Sequence, residues 1–345
     1  ARNAGVTVVI VGLSTDENKK RLLYDVNKHG EINVREAKNI TPYLTIGENI
    51  VITGERKSIS GLPDMSFGNM PVDGGNLLLS ADDVVYLGLR PDQKKKFVRR
   101  IYGSEEFIQG KIRFCLWIPD EILAEAQAIP SIARRIEAAR QMRLKSKDAG
   151  TRKMSERPHQ FREMHTGNSH TLVVPAVSSE ERGYLPCGLL PADSIISNRN
   201  FGLYDAPLWN LALIVSRLHW VWIDAVCGKL ETRFNYSNTL GWNTFPVPPL
   251  TEKNKADLTR CAEDILLARE RHFPATIADL YDPEKMPDDL RAAHERNDEV
   301  LERIYIGRRF KNDTERLEKL FDLYTKMTAS AAPAKGGKRK AGGNA

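Results

Sequence analysis

The chain has 345 residues, of which 41% are hydrophobic and 28% are charged, and its formal net charge is +6. This composition supplies a large apolar core and excludes a mainly disordered protein, while the length predicts more than one domain. A membrane-spanning helix is also excluded, because the most apolar stretch, residues 206–226, contains Asn210, Arg217, His219 and Asp224.

The first half of the chain predicts short strands and helices separated by turns. In chain order we expect a strand at 6–12, a polar helix near 17–25, turns through 41–80, helices at 81–88 and 92–102, and a strand at 112–118. The clearest helix begins at Pro130, with Ser131 as its N-cap. Its helical period places Ile132, Ile136, Ala139 and Arg143 on one face.

The second half becomes helical towards its end. We expect strands at 171–175 and 184–190, an apolar helix or helix pair at 207–227, a loop at 235–249, and helices at 252–272, 287–305 and 313–327. Residues 331–345 are small, Gly-rich and basic, which predicts a disordered tail. Residue 1 is Ala and no signal core follows it, so we expect a piece of a longer protein.

The positive charge is concentrated in three places. Residues 94–100 contain five Lys or Arg, residues 131–162 contain ten against three acids, and the tail carries +4. The remainder of the chain is net acidic. This segregation favours a polyanion such as nucleic acid, but solvated helix faces and a merely solubilising tail remain open.

The residue patterns of common catalytic and cofactor sites are missing. The sequence contains no Gly-x-Gly, no phosphate-binding loop, no [DNS]-P-P-[YFW] motif and no His spacing typical of a metal site. We therefore predict no catalytic, cofactor-binding or metal-ligating residues in this chain. The cysteines, 115, 187, 227 and 261, form no C-x-x-C pair and are predicted to be buried free thiols of a cytoplasmic protein.

Six longer motifs are specific enough to compare with a family. They are residues 65–77 (MSFGNMPVDGGNL), 174–184 (VPAVSSEERGY), 195–198 (IISN), 227–237 (CGKLETRFNYS), 243–246 (NTFP) and 278–287 (ADLYDPEKMP). In order and spacing they resemble the C-terminal part of MmeI-like (YeeA-like) DNA adenine methyltransferases, the single-chain type IIG/IIL restriction–modification group. The resemblance extends from Val6 to about Met327.

The resemblance implies an α+β fold. Residues 1–40 would be the trailing edge of a methyltransferase domain and a linker, beginning with the last strand of a class I methyltransferase sheet. Residues 41–250 would form a mixed α/β DNA target-recognition domain, and 251–330 an all-helical C-terminal domain. The catalytic loop and the S-adenosyl-L-methionine site would lie in an upstream domain of the same polypeptide.

The resemblance also implies which residues read bases in double-stranded DNA. The matching positions are Asn198 and Arg199, and Glu231 and Arg233, with Glu180 and Arg182 as weaker candidates. Arg suits guanine, Asn suits adenine and Glu suits the cytosine amino group. On an extended segment Glu231 and Arg233 would point the same way. Pairing between these two side chains, and a turn role for Asn198, remain open.

The basic helix and the residues after it are predicted to contact DNA phosphates. These residues are Arg134, Arg135, Arg140, Arg143, Lys145, Lys147, Arg152 and Lys153. The competing hypothesis is a stand-alone interaction or scaffold module, with a protein-binding acidic helical end and basic patches that bind nothing.

Overall fold

The computed structural model describes residues 10–16, 19–26, 31–230 and 233–331. The chain divides into two compact units, residues 1–51 and residues 52–345. Of the strand expected at 6–12, residues 6–9 lie outside the described ranges, and Ile10, Val11 and Gly12 are exposed and not in a strand.

The first unit contains a β-hairpin where a helix was predicted. Strand β1 (Arg21–Val26) pairs antiparallel with β2 (Ile32–Ala37), with Tyr24 opposite Val34. The helix expected near 17–25 is therefore wrong over 21–25, because cross-strand pairing of alternating apolar residues overrides the polar composition of the preceding segment. Leu22, Tyr24, Ile32 and Val34 share one face of the hairpin and are each between 40% and 64% exposed.

The second unit contains the remaining strands and helices. Its first part consists of β3 (Ser66–Phe67), β4 (Leu78–Leu79), α1 (Ala81–Tyr86), α2 (Pro91–Phe97), β5 (Val98–Tyr102), α3 (Ser104–Ile108), β6 (Phe114–Leu116), α4 (Leu123–Gln127), α5 (Pro130–Leu144) and α6 (Ala149–Lys153). Its middle part consists of β7 (His170–Pro175), β8 (Val177–Ser178), β9 (Gly188–Pro191), β10 (Ile195–Ile196), β11 (Asn200–Tyr204), α7 (Trp209–Ile214), α8 (Arg217–Val226), β12 (Gly228–Leu230) and β13 (Arg233–Asn235). After a short π-helix (Asn238–Trp242) come α9 (Glu252–Glu270), α10 (Ile277–Leu280), α11 (Asp288–Ile306) and α12 (Asp313–Ala331).

Three small sheets organise the middle of this unit. Their strand orders are β10-β5-β6-β4, β3-β11-β7-β9 and β12-β13-β8. The first sheet packs with α5 around a core that includes Phe97, Leu116 and Ile136. Because neighbours such as β10 and β5 are about a hundred residues apart in sequence, the sheets join distant segments.

Several predicted elements need correction. The helix expected at 92–102 ends at Phe97, since residues 98–102 pair with β6 as a strand. The strand expected from 184 begins only at Gly188. Ser131 does not cap α5, because its hydroxyl donates to the Leu87 carbonyl and Ile129 is the N-cap. The loop expected at 235–249 contains the π-helix.

Other predictions are confirmed. The fold is mixed α/β followed by helices, the apolar stretch 207–227 is a helix pair, and all four cysteines are free and buried. Burial raises the pKa of each thiol. Ala331 still belongs to α12, and residues 332–345 of the predicted tail lie outside the described ranges.

Buried polar groups join the C-terminal helices to earlier segments of the chain. Arg269 of α9 donates to the Cys187 carbonyl at 2.6 Å. Asp298 of α11 accepts from the Arg217 main-chain N–H at 2.7 Å and from the Tyr184 hydroxyl at 3.1 Å. These bonds tie helices α9 and α11 to the segments around residues 184–187 and 217.

The buried Asp298 carboxyl is predicted to make the stability of the fold depend on pH. Burial raises the pKa of the Asp298 carboxyl from 3.8 to about 7, and the nearby Glu302 carboxylate adds to this increase. The hydrogen bonds from Arg217 and Tyr184 and the positive charge of Arg316 oppose the increase. Between those two pH values the folded chain holds a proton that the unfolded chain has released, so stability falls as pH rises through that window and then levels off.

We therefore expect Asp298→Asn to reduce the change in unfolding free energy between pH 5 and pH 8 by up to about 3 kcal/mol, since that range covers about two pH units of the window. Urea unfolding at both pH values measures this difference. Asp322→Asn, on the exposed side of α12, is the control and should leave the pH dependence unchanged. Equal pH dependence in wild type and Asp298→Asn would contradict the prediction.

Candidate nucleic-acid interface

A tight turn of residues 197–199 joins β10 to β11, and we call it the 197–199 turn. Its backbone is held from three directions. Asn198 N donates to the Asn69 carbonyl at 3.1 Å, and the Arg199 carbonyl accepts from Ala176 N at 3.1 Å and from the Ser104 hydroxyl at 3.0 Å. The Arg199 side chain is exposed, and its guanidinium has no protein partner among the described residues. The turn therefore presents an unengaged cation from a fixed backbone.

Gly68 and Asn69 hold this turn, although no role was predicted for either residue. Gly68 N donates to the Asn200 carbonyl at 2.9 Å, and a Cβ at Gly68 would lie only 2.1 Å from the Ser197 carbonyl oxygen. Asn69 is fully buried, and its Nδ2 donates to the carbonyls of Ile196 and His165 at 3.0 and 2.9 Å. The only sequence signal was their place in the 65–77 motif.

The second pair of predicted base readers lies at the β12–β13 hairpin. Leu230 of β12 pairs antiparallel with Arg233 of β13. The common direction expected for Glu231 and Arg233 stays a prediction. Glu231 lies outside the described residues. Arg233 is exposed at the start of β13 and makes a contact within the protein.

The weaker candidates, Glu180 and Arg182, are both half-buried. Arg182 donates to the Ser178 hydroxyl at 3.4 Å, and burial lowers the pKa of its guanidinium while Asp282 opposes that change. Glu180 also makes a contact within the protein. β8 pairs with β13, with Ser178 opposite Phe234, so these residues adjoin the β12–β13 hairpin.

Arg143 is not available to DNA, and its prediction as a phosphate contact is wrong. The side chain is fully buried and donates all five of its N–H bonds to main-chain carbonyls. The acceptors are Val72 at 2.8 Å, Pro71 at 3.0 Å, Met154 at 3.0 Å, Arg157 at 2.9 Å and Gln160 at 2.7 Å. Burial lowers the pKa of this guanidinium to about 10, and the Asp73 carboxylate opposes that change.

The other basic residues of this region differ in how accessible they are. Arg135 is half-buried, pairs with Asp83 and donates to the Asn76 carbonyl at 3.1 Å, which leaves it poorly placed for a phosphate. Three are exposed but already make a local bond, and these are Arg134, Arg140 and Arg152. Lys96, in the earlier cluster, is half-buried and pairs with Glu125. Lys145, Lys147 and Lys153 are exposed and make no side-chain contact within the described ranges. We call these three residues with Arg152 the basic segment.

The described residues include no group of three or more His, Cys, Asp or Glu side chains that could hold a metal ion. His159 is buried and bonds to Asp120 at 2.8 Å, and His170 bonds to the Ala206 carbonyl, so neither is poised as a ligand. No helix in these ranges combines the length and apolar character needed to cross a bilayer.

Known proteins match this chain over almost its whole length. A model of the MmeI target recognition domain matches residues 46–249, and one of the MmeI C-terminal domain matches residues 250–332. DNA methyltransferase A of Bacillus subtilis (strain 168) is 40% identical over 328 residues, which are 94% of this chain and 36% of that protein. The solved structure of the type IIL restriction–modification enzyme MmeI in complex with DNA superposes with a TM-score of 0.80 at 32% identity, covering 90% of this chain and 42% of that one. The chain thus spans less than half the length of either relative.

Removing the buried guanidinium should destabilise the fold. We expect Arg143→Met to lower the unfolding free energy by about 3 kcal/mol or more, because five buried or half-buried carbonyls lose their donor. Arg140→Met, one turn earlier and exposed, should change it by no more than about 0.5 kcal/mol. Urea unfolding of the two variants tests this, and equal stabilities would contradict the structural role of Arg143.

Proposed function

Since this chain belongs to the MmeI family and carries its target recognition and C-terminal domains, we propose that it recognises a specific sequence in double-stranded DNA. It would do so for an S-adenosyl-L-methionine-dependent adenine-N6 methyltransferase of a restriction–modification system. The observation that carries the proposal is the match of 90% of the chain to an enzyme solved with DNA. The exposed Arg199 on a fixed turn and the basic segment support it.

The two kinds of contact have separate physical tasks. Lysine and arginine contacts to phosphates hold the duplex in register and release counterions, which makes binding salt-dependent. We assign the phosphate contacts to the basic segment. We also assign them to Arg134 and Arg140, since the local bonds of these two residues are exposed and weak. Side chains at base edges then select the sequence. We assign this task to Asn198 and Arg199, and to Glu231 and Arg233, with Glu180 and Arg182 beside them.

The methyl transfer itself belongs to the larger protein. An enzyme that methylates adenine must take the base out of the stack, so the recognition domain has to hold the duplex meanwhile. We propose that residues 1–40 are the edge of that methyltransferase domain and a linker, with recognition in 41–250 and a helical domain in 251–330. A two-stranded hairpin is marginal alone, so the exposed apolar face of β1 and β2 fits packing against an upstream domain. That domain would bind S-adenosyl-L-methionine, in a cytoplasm where the free cysteines stay reduced.

Binding of the chain to duplex DNA should depend steeply on salt. Changing Lys145, Lys147 and Lys153 together to Gln should reduce the slope of log Kd against log salt by about one for each lost phosphate contact. Titrations of labelled duplex at several salt concentrations measure that slope.

The matched control changes Lys253, Lys285 and Lys326 to Gln. Each of these three lysines pairs with an aspartate, on α9, on α12 or just before α11. Replacing them should therefore leave the salt slope unchanged. Equal slopes for both triple variants would overturn the phosphate assignment. An absence of duplex binding even at low salt would overturn the function and favour the protein-interaction module.

The hairpin residues should determine part of the target sequence. Exchanging the charges, Glu231→Lys with Arg233→Asp, in the intact methylating protein should change the recognised base pair at one position, since each side chain would then favour a different edge. Sequencing of methylated sites measures the change. The control exchange Asp322→Lys with Lys326→Asp, on α12, should leave the sites as they were. An unchanged target after the hairpin exchange would rule these residues out as base readers.

A further inference from the structure

Arg143 connects two segments that are far apart in sequence. On one side its Nε and Nη2 donate to the carbonyls of Val72 and Pro71. On the other side Nη1 donates to the carbonyls of Met154 and Arg157. With the bond to Gln160, we call this set the Arg143 junction. Because a guanidinium is planar and rigid, the junction fixes the distance between the two segments.

The first of these segments continues directly to the 197–199 turn. Two residues before Pro71, Asn69 donates its main-chain N–H to the Ile196 carbonyl at 2.7 Å and accepts from Asn198 N. Its side chain adds the bonds to Ile196 and His165, and His165 N donates to its Oδ1 at 2.7 Å. Thus a single short stretch, 69–72, bonds to the turn at one end and to Arg143 at the other.

The second segment continues directly to the basic segment. Lys145 and Lys147 follow Arg143 in the chain, and Lys153 precedes Met154. Arg152 links the two ends of this region, because its Nη1 donates to the carbonyls of Ser146 and Lys147 at 2.9 and 2.7 Å. The lysines therefore project from backbone that is anchored on both sides by Arg143.

The backbone at the junction is itself unusual. Val72 has φ +43°, a conformation that a β-branched residue rarely adopts, and its carbonyl is an acceptor for Arg143. Such a conformation persists only where the surroundings determine it, and it is frequent where a structure must hold a defined geometry.

We propose that Arg143 and Asn69 are positioning residues that hold the 197–199 turn at a fixed distance from the basic segment, so that phosphate contacts and base reading share one register. The inference rests on the proposed function. Successive base pairs are spaced by about 3.4 Å along the duplex, so a comparable shift between the two surfaces would place the turn opposite the wrong pair. Selective contacts tolerate errors of only about 0.5 Å.

The test compares sequence preference with bare DNA affinity. We would first select the preferred duplex with the wild-type chain, and then measure Kd for that duplex and for a scrambled one. The ratio of the two Kd values does not depend on the fraction of folded protein, so loss of stability alone leaves it unchanged. We expect Arg143→Lys and Asn69→Ser each to reduce the ratio by about tenfold or more, with the salt slope for the scrambled duplex unchanged. Arg303→Lys, at an exposed arginine of α11 that pairs with Glu299, is the control and should keep the ratio.

A second measurement shows whether Arg143 acts through the turn. In an Arg199→Ala background, Arg143→Lys should cause little further loss of the ratio, because the side chain that it positions is already gone. Folded variants of Arg143 and Asn69 that retain the wild-type ratio would overturn the proposal while leaving the proposed function intact. Failure of both variants to fold would assign the two residues to stability alone and also overturn it. A wild-type chain with a ratio near one would instead refute the proposed function.

Discussion

The loops around residues 71–78 and 154–160 are organised around the five hydrogen bonds of the buried Arg143 guanidinium. The segments that it joins, around residues 71–72 and 154–160, are mostly irregular, so their carbonyls find few partners in helices or sheets. A buried carbonyl without a donor is costly, and one planar cation with five N–H groups supplies donors to five of them. Asp73 beside it binds the main-chain N–H groups of Gly75, Leu77 and Leu78. Two charged side chains thereby replace regular secondary structure in these loops.

This dependence explains which parts of the fold the sequence predicts. The C-terminal helices follow from local features such as the Thr251 cap and the apolar period of α11, which need no distant partner. Strands β8 and β10 have only two residues each, too few for any period, and exist because other strands supply their hydrogen bonds. The 98–102 segment was predicted as helix for the same reason, since its pairing with β6 is invisible in a local window.

The candidate site also contains residues that the sequence predicts and residues that depend on distant partners. Arg199 and Asn198 were found by family resemblance, whereas Gly68 and Asn69, which hold them, act across more than 120 residues of sequence. Arg143 is the instructive error. It was correctly placed on one face with Ile132, Ile136 and Ala139, all of which are buried, yet it was counted with the exposed charges of the same run. A cation on the apolar face of a helix predicts burial with hydrogen-bond partners rather than a surface contact.

The separation between held backbone and unengaged side chain has a consequence for specificity. At the 197–199 turn, the main chain is fixed by Asn69, Ala176 and Ser104, while the Arg199 guanidinium stabilises nothing within the described part of the protein. A substitution at residue 199 therefore leaves the fold intact, because it removes no internal bond. A substitution at Gly68 or Asn69 changes where the turn lies, since the Ser197 carbonyl is only 2.1 Å from a Cβ built at residue 68. A domain built this way can exchange the exposed side chain at residue 199 while keeping the backbone geometry that presents it.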